Sequence, residues 1–106
     1  MNIFKQIKTL IKAGKIKISS HGYDELAADN IFVRDIISSI ENAEVLENYL
    51  EFPKGPCVLL LQVDKNDSVI HTLWGIPKGH AEPAVLITAY RPDTKKWKQD
   101  LRRRKK

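Results

Sequence analysis

Three histidines, His21, His71 and His80, are the side chains of this chain that exchange a proton near neutral pH without help from their surroundings. Tyr90 and Arg91 stand side by side and add a phenol and a guanidinium, and Lys78 lies two residues before His80. Such a set suffices to break RNA without a metal: a base deprotonates the 2′-hydroxyl, a cation steadies the charged phosphorus centre, and an acid protonates the departing 5′-oxygen. Other chemistries lose ground on spacing. No histidines stand at metal-ligand spacing, and the chain holds no His-Glu-x-x-His, no phosphate loop and no Gly-x-Gly-x-x-Gly. Metal and nucleotide cofactors are therefore not expected. Cys57, the one cysteine, opens the apolar run Cys57-Val58-Leu59-Leu60-Leu61 and reads as a packed hydrophobe.

Each of these residues has a bland alternative. His21 falls at a helix start, where free backbone N–H groups favour an anion, but it equally suits an ordinary exposed helix-start residue. His71 alternates with Val69 and Leu73, opposite Ile70, Thr72 and Trp74, so it is either a proton-transfer group or a sheet-face histidine bonded to backbone. His80 and Lys78 share a Gly-containing loop, where they could meet a substrate or simply be solvated. Tyr90 and Arg91, as consecutive strand residues, face opposite sides of a sheet unless the strand breaks at Pro92. Arg91 could then clamp a phosphate, or it could pair with Asp93 or a glutamate.

A length of 106 residues suits one domain. Ile3, Phe4, Ile7, Leu10 and Ile11 keep helical spacing through Ala13, with Asn2 to cap the start and Gly14 to end it. Lys15 to Ser19 is a short strand or an extended link. A second helix is expected over His21 to Ala28 behind a Ser19 or Ser20 cap, and a third from Val33 to about Asn42. Then the period changes to that of strands, over Glu44 to Leu50, Cys57 to Val63, Val69 to Ile76 and Ala84 to Tyr90, with turns at Pro53-Lys54-Gly55-Pro56, Lys65-Asn66-Asp67-Ser68 and Pro77-Lys78-Gly79-His80. Helices followed by strands predict an α+β fold, with N-terminal helices on a four-stranded antiparallel meander. Trp97 and Leu101, at i and i+4 in a short closing helix, should dock on the body, and 102 to 106 should form a mobile basic tail.

The net charge of +5 is unevenly spread. Residues 1–18 hold five lysines and no acid, residues 95–106 hold eight Lys or Arg against Asp100, and the stretch between holds twelve acids against five bases. Basic ends on an acidic body suit nucleic acid as a partner, with Arg102, Arg103 and Arg104 among the contacts; they also suit a homo-oligomer in which the ends of one copy meet the body of another. No apolar run approaches a membrane span or a secretion signal, so a cytoplasmic location without membrane attachment is the default expectation.

The stretches Ile18-Ser19-Ser20-His21-Gly22-Tyr23-Asp24-Glu25-Leu26 and Leu86-Ile87-Thr88-Ala89-Tyr90-Arg91-Pro92-Asp93 followed by Trp97, with His71-Thr72-Leu73-Trp74-Gly75 between them, resemble the family of domain of unknown function 4258. The resemblance covers about residues 18–97, and that family is in turn distantly similar to the RelE-like and BrnT-like toxin ribonucleases. The resemblance implies helices before an antiparallel sheet of RelE or barnase type, an RNA substrate, a cognate antitoxin protein as partner and no cofactor. It places a Ser-x-His element on Ser19 and His21 and a Thr-x-Tyr-x-Pro element on Thr88, Tyr90 and Pro92. Where many relatives carry arginine four residues after the histidine, this chain has Glu25, whose carboxylate would repel a phosphate unless it orients His21 or is itself the base. The reading favoured at this level is a toxin-like, metal-independent endoribonuclease. His21 would be base or acid, Arg91 the phosphate clamp, Tyr90 or His71 the second proton-transfer group, and Lys78, His80 and Arg102 to Arg104 the substrate contacts. The alternative is a non-enzymatic module that binds nucleic acid or protein, with structural histidines.

Overall fold

The computed structural model describes residues 2–93, 97, 101 and 102. Helix α1 (Ile3–Lys12) begins where the Asn2 side chain accepts the Lys5 N–H, and it closes at Gly14, whose φ of +74° is one that a glycine adopts without strain. Strand β1 (Ile16–Ile18) leads into α2 (Ser20–Ala28), α3 (Val33–Ser38) and a single 3₁₀ turn (Ile40–Asn42). Then β2 (Glu44–Tyr49), β3 (Cys57–Val63), β4 (Val69–Gly75) and β5 (Ala84–Tyr90) follow. The fold is α+β. None of the helices among the described residues is long and apolar enough to cross a membrane.

Strands β2 to β5 form the expected antiparallel meander, but the sheet has five strands and is mixed, in the order β1-β5-β4-β3-β2. The addition corrects the four-stranded antiparallel expectation: β1 lies parallel to β5, with Ile16 opposite Ala84 and Ile18 opposite Leu86. Three residues are too few to display a strand period, and their partners lie far along the chain, so no local signal marks the pairing. The third helix also stops early, its last turn tightening to 3₁₀ after Ser39.

One sheet face meets the helices. Ile3, Ile7 and Ile11 of α1, Leu26 of α2, and Ile36 and Ile40 pack with Val58 and Leu60 of β3, Ile70 and Trp74 of β4, and Leu86 and Ala89 of β5. Gln62 is buried beside this cluster and is fully bonded: its amide nitrogen donates to Ile36 O (2.6 Å) and Ser39 Oγ (3.0 Å), and its oxygen accepts from Thr72 Oγ1 (2.6 Å) and Trp74 Nε1 (3.2 Å). Four partners make a buried amide inexpensive.

Ser19 ties the helix layer to the sheet. Its N–H donates to Leu86 O (3.1 Å), its hydroxyl donates to Ile87 O (2.8 Å), and the same oxygen accepts the Gly22 N–H (2.9 Å) as the N-cap of α2. Gly22 permits the approach, because a Cβ there would stand 2.9 Å from Leu86 O. The Ser-x-His-Gly element thus builds a junction between β1, α2 and β5. Ser19→Ala removes both hydroxyl bonds and is expected to cost about 1–2 kcal/mol in urea unfolding, whereas Ser20→Ala, exposed one residue later, should leave the midpoint unchanged.

Candidate active site

Alternation in β4 sends Ile70, Thr72 and Trp74 to the helices and His71 to the other face. Register then places His71 directly opposite Tyr90, the last residue of β5. Two residues from beyond β5 close over the imidazole. Trp97, itself buried, meets it edge-on with ring centroids 4.4 Å apart, and the Leu101 carbonyl oxygen lies 2.7 Å from His71 Nε2. The ring has no solvent exposure.

That carbonyl decides where the proton sits. A carbonyl oxygen only accepts, so Nε2 carries hydrogen, and in the neutral ring Nδ1 is left with its lone pair. Nδ1 lies 3.3 Å from the Tyr90 hydroxyl, and the two rings pack edge-to-face. In that neutral form the Tyr90 hydroxyl, itself partly exposed, donates to Nδ1. Proton transfer from the phenol to His71 is the chemistry this arrangement supports.

Arg91 points the other way, toward the helix layer. Its N–H donates to Asp29 Oδ2 (3.0 Å) and its Nε to Asp29 O (3.3 Å), at the C-cap of α2. Nη2 lies 3.0 Å from Asp64 Oδ2, while Nη1 is buried with no hydrogen-bond partner. Asp64 Oδ1 accepts the N–H groups of Asn66 (2.8 Å) and Ser68 (3.0 Å). The Ser68 N–H, with those of Asn66 and the Arg91 guanidinium, holds the Asp64 carboxyl below the usual aspartate range, against the opposing effect of burial.

The family model for the domain of unknown function (DUF4258) matches residues 18–91 of this chain. The chain belongs to that family. No curated protein and no solved structure matches it. The DUF4258 stretch opens at Ile18, beside the Ser19 junction, and closes at Arg91. It includes His71 and Tyr90 but neither Trp97 nor Leu101, the residues that enclose His71.

The structure separates the other DUF4258 residues considered from this pair. His21 is two-thirds exposed in the first turn of α2, with Glu25 Oε1 3.4 Å from its Nε2. It stands eight residues, or about 12 Å of helix, from the Asp29 that grips Arg91. Thr88 pairs with Leu73 on β4. Lys78 and His80 are exposed in the β4–β5 connection, at the end of the sheet away from His71. Arg102, just outside the family match, donates through Nε (3.1 Å) and Nη2 (2.7 Å) to Glu44 Oε2. Arg103 and Arg104, the rest of the basic tail, and the body of the expected closing helix lie outside the described residues. Among the described residues, no group of three or more His, Cys, Asp or Glu is placed to hold a metal ion. Cys57 is buried, and burial pushes its thiol up, away from the reactive thiolate.

Sequence reasoning missed Asp29, Asp64 and the Leu101 carbonyl. The i, i+4 pair Trp97 and Leu101 was a usable signal, since two apolar residues in a basic segment have to bury somewhere; nothing local links Asp29 or Asp64 to Arg91. Because the Asp64 carboxyl titrates lower folded than unfolded, it adds stability at neutral pH. That stability is lost as pH falls between the ordinary aspartate value and the lowered one. Asp64→Asn should therefore lower the urea midpoint at pH 7 and converge with the parent chain in strong acid; a gap that persists unchanged into acid would refute the carboxylate's role.

Proposed function

We propose that this DUF4258 protein is a metal-independent endoribonuclease of the toxin type, and that Tyr90 and His71 move the proton. The observation that carries this reading is the Leu101 carbonyl on His71 Nε2, which in the neutral ring makes Nδ1 the acceptor toward a partly exposed phenol. Tyr90 takes the 2′-hydroxyl proton as its own passes to His71. The 2′-oxygen then bonds to phosphorus, the bond to the 5′-oxygen breaks, and water protonates the departing oxygen. A 2′,3′-cyclic phosphate and a 5′-hydroxyl result, and the hydroxide left by that water takes a proton from the Tyr90 hydroxyl as His71 hands its own back to the phenol oxygen. The kinship with RelE-like toxins rests on the sequence resemblance, and with it the proposal of a cognate antitoxin partner in the cytoplasm.

Non-enzymatic binding of nucleic acid is the second reading, and one observation favours it. Arg91, the cation next to Tyr90 in sequence, is already engaged by Asp29 and Asp64, which weakens it as a phosphate clamp.

Purified protein should cleave single-stranded RNA in EDTA and leave cyclic-phosphate ends. Tyr90→Phe should lower the rate by about 100-fold or more, with the fold intact by circular dichroism. RNA that stays whole with the parent chain would select the second reading. Loss of cleavage in His21→Ala but not in Tyr90→Phe would move the chemistry to α2.

A further inference from the structure

The sheet face away from the helices, which carries His71 and Tyr90, also holds a groove of about 360 Å³ at its other end. Its floor is apolar. Val85 and Ile87 alternate with the core residues Ala84 and Leu86, so they face away from the helices, and Gly75 lies beside them. Its wall is made by two loops stitched through backbone: Ile76 N–H donates to Pro56 O (3.1 Å) and Lys78 N–H to Lys54 O (2.9 Å). Gly55 makes that seam possible, with a φ of +131° and space so tight that a Cβ would stand 2.1 Å from Ile76 O. Phe52, about half exposed, and Lys54 complete the lining. Lysines surround it. Lys17 sits opposite Val85 in register, on the strand whose Ile16 and Ile18 turn to the core, and Lys78 follows the lining residue Pro77. None of Lys17, Lys54 and Lys78 has an ion-pair partner among the described residues, in contrast to Lys12, Lys15, Arg91 and Arg102. Among the described residues, no acid lines the groove.

An aromatic ring beside an apolar floor, ringed by unpaired cations, matches a base with its flanking phosphates. The distance along β4 from Gly75 to His71 is four residues, about 13 Å, so one extended strand can reach both ends of the face. We infer that this groove is a nucleobase subsite for single-stranded RNA, with Phe52 as the stacking platform and Lys17, Lys54 and Lys78 as phosphate contacts. The choice of RNA as occupant rests on the ribonuclease reading.

The test is binding of a fluorescein-labelled oligouridylate to the full chain carrying Tyr90→Phe, followed by anisotropy over a salt series. Phe52→Ala should weaken binding about tenfold, Phe52→Leu should fall between that and the parent, and Lys54→Gln should flatten the log–log salt slope by about 0.7. Unchanged affinity in both Phe52 variants with an unchanged slope in Lys54→Gln overturns the inference. So does Phe52-dependent binding of a fluorescein-labelled, phenylalanine-containing acidic peptide when the oligouridylate itself does not bind, since the occupant is then protein. The two readings fail separately. Tyr90-dependent cleavage without Phe52-dependent binding removes the subsite alone, and Phe52-dependent binding without cleavage by the parent chain removes the nuclease alone.

Discussion

The Ser19 hydroxyl is the constraint from which the arrangement of this molecule follows. By capping α2 while bonding to Ile87 O, it fixes the helix to β5 at the point where β1 leaves the sheet. Helix α2 then runs beside β5 to Asp29, and Asp29 takes hold of the Arg91 N–H, just where β5 ends. That grip helps to set the strand end, and the strand end sets Tyr90 against His71. Gly22 is part of the same device, since any side chain there would force α2 off the carbonyl of Leu86. The element that looks most like a catalytic signature in the sequence, Ser19 with His21, thus does its clearest physical work as a junction.

His71 shows how one ring nitrogen of a strand histidine comes to be fixed as a donor. Burial alone would favour a neutral ring without deciding which nitrogen is protonated. The Leu101 carbonyl decides it, and Trp97 excludes water from the ring. Both come from outside the family-matched stretch, residues 18–91. Arg91 illustrates the opposite case. A guanidinium one residue from Tyr90 is turned to the far side of the sheet by strand alternation and paired with Asp64.

Much of the fold was legible because long elements declare their period. Ile3, Ile7 and Ile11 mark α1, and the runs Cys57–Val63 and Ala84–Tyr90 coincide with β3 and β5 to the residue. β1 was not legible, since Ile16 and Ile18 could equally flank a link, and only the distant Ala84 to Leu86 backbone makes them a strand. The contacts of the candidate site were not legible as a group. His71, Tyr90 and Arg91 could each be named from chemistry, and alternation correctly set Tyr90 and Arg91 on opposite faces. The partners that define their behaviour, Leu101, Asp29 and Asp64, are contacts between segments far apart in sequence. The basic character of the chain also changes meaning in three dimensions: Lys12, Lys15 and Arg102 are tied to Glu41, Glu82 and Glu44, so charge counted along the chain overstates the charge free to meet a partner.

The central claim is that His71 is a neutral base with its proton on Nε2 and its lone pair aimed at Tyr90. Long-range proton–nitrogen NMR of the histidine rings at pH 7 tests it most directly. The account predicts a protonated Nε2 and a bare, hydrogen-bond-accepting Nδ1 for His71, with the Nδ1 resonance moving in Tyr90→Phe. A proton on Nδ1, or a ring charged on both nitrogens at that pH, would contradict it.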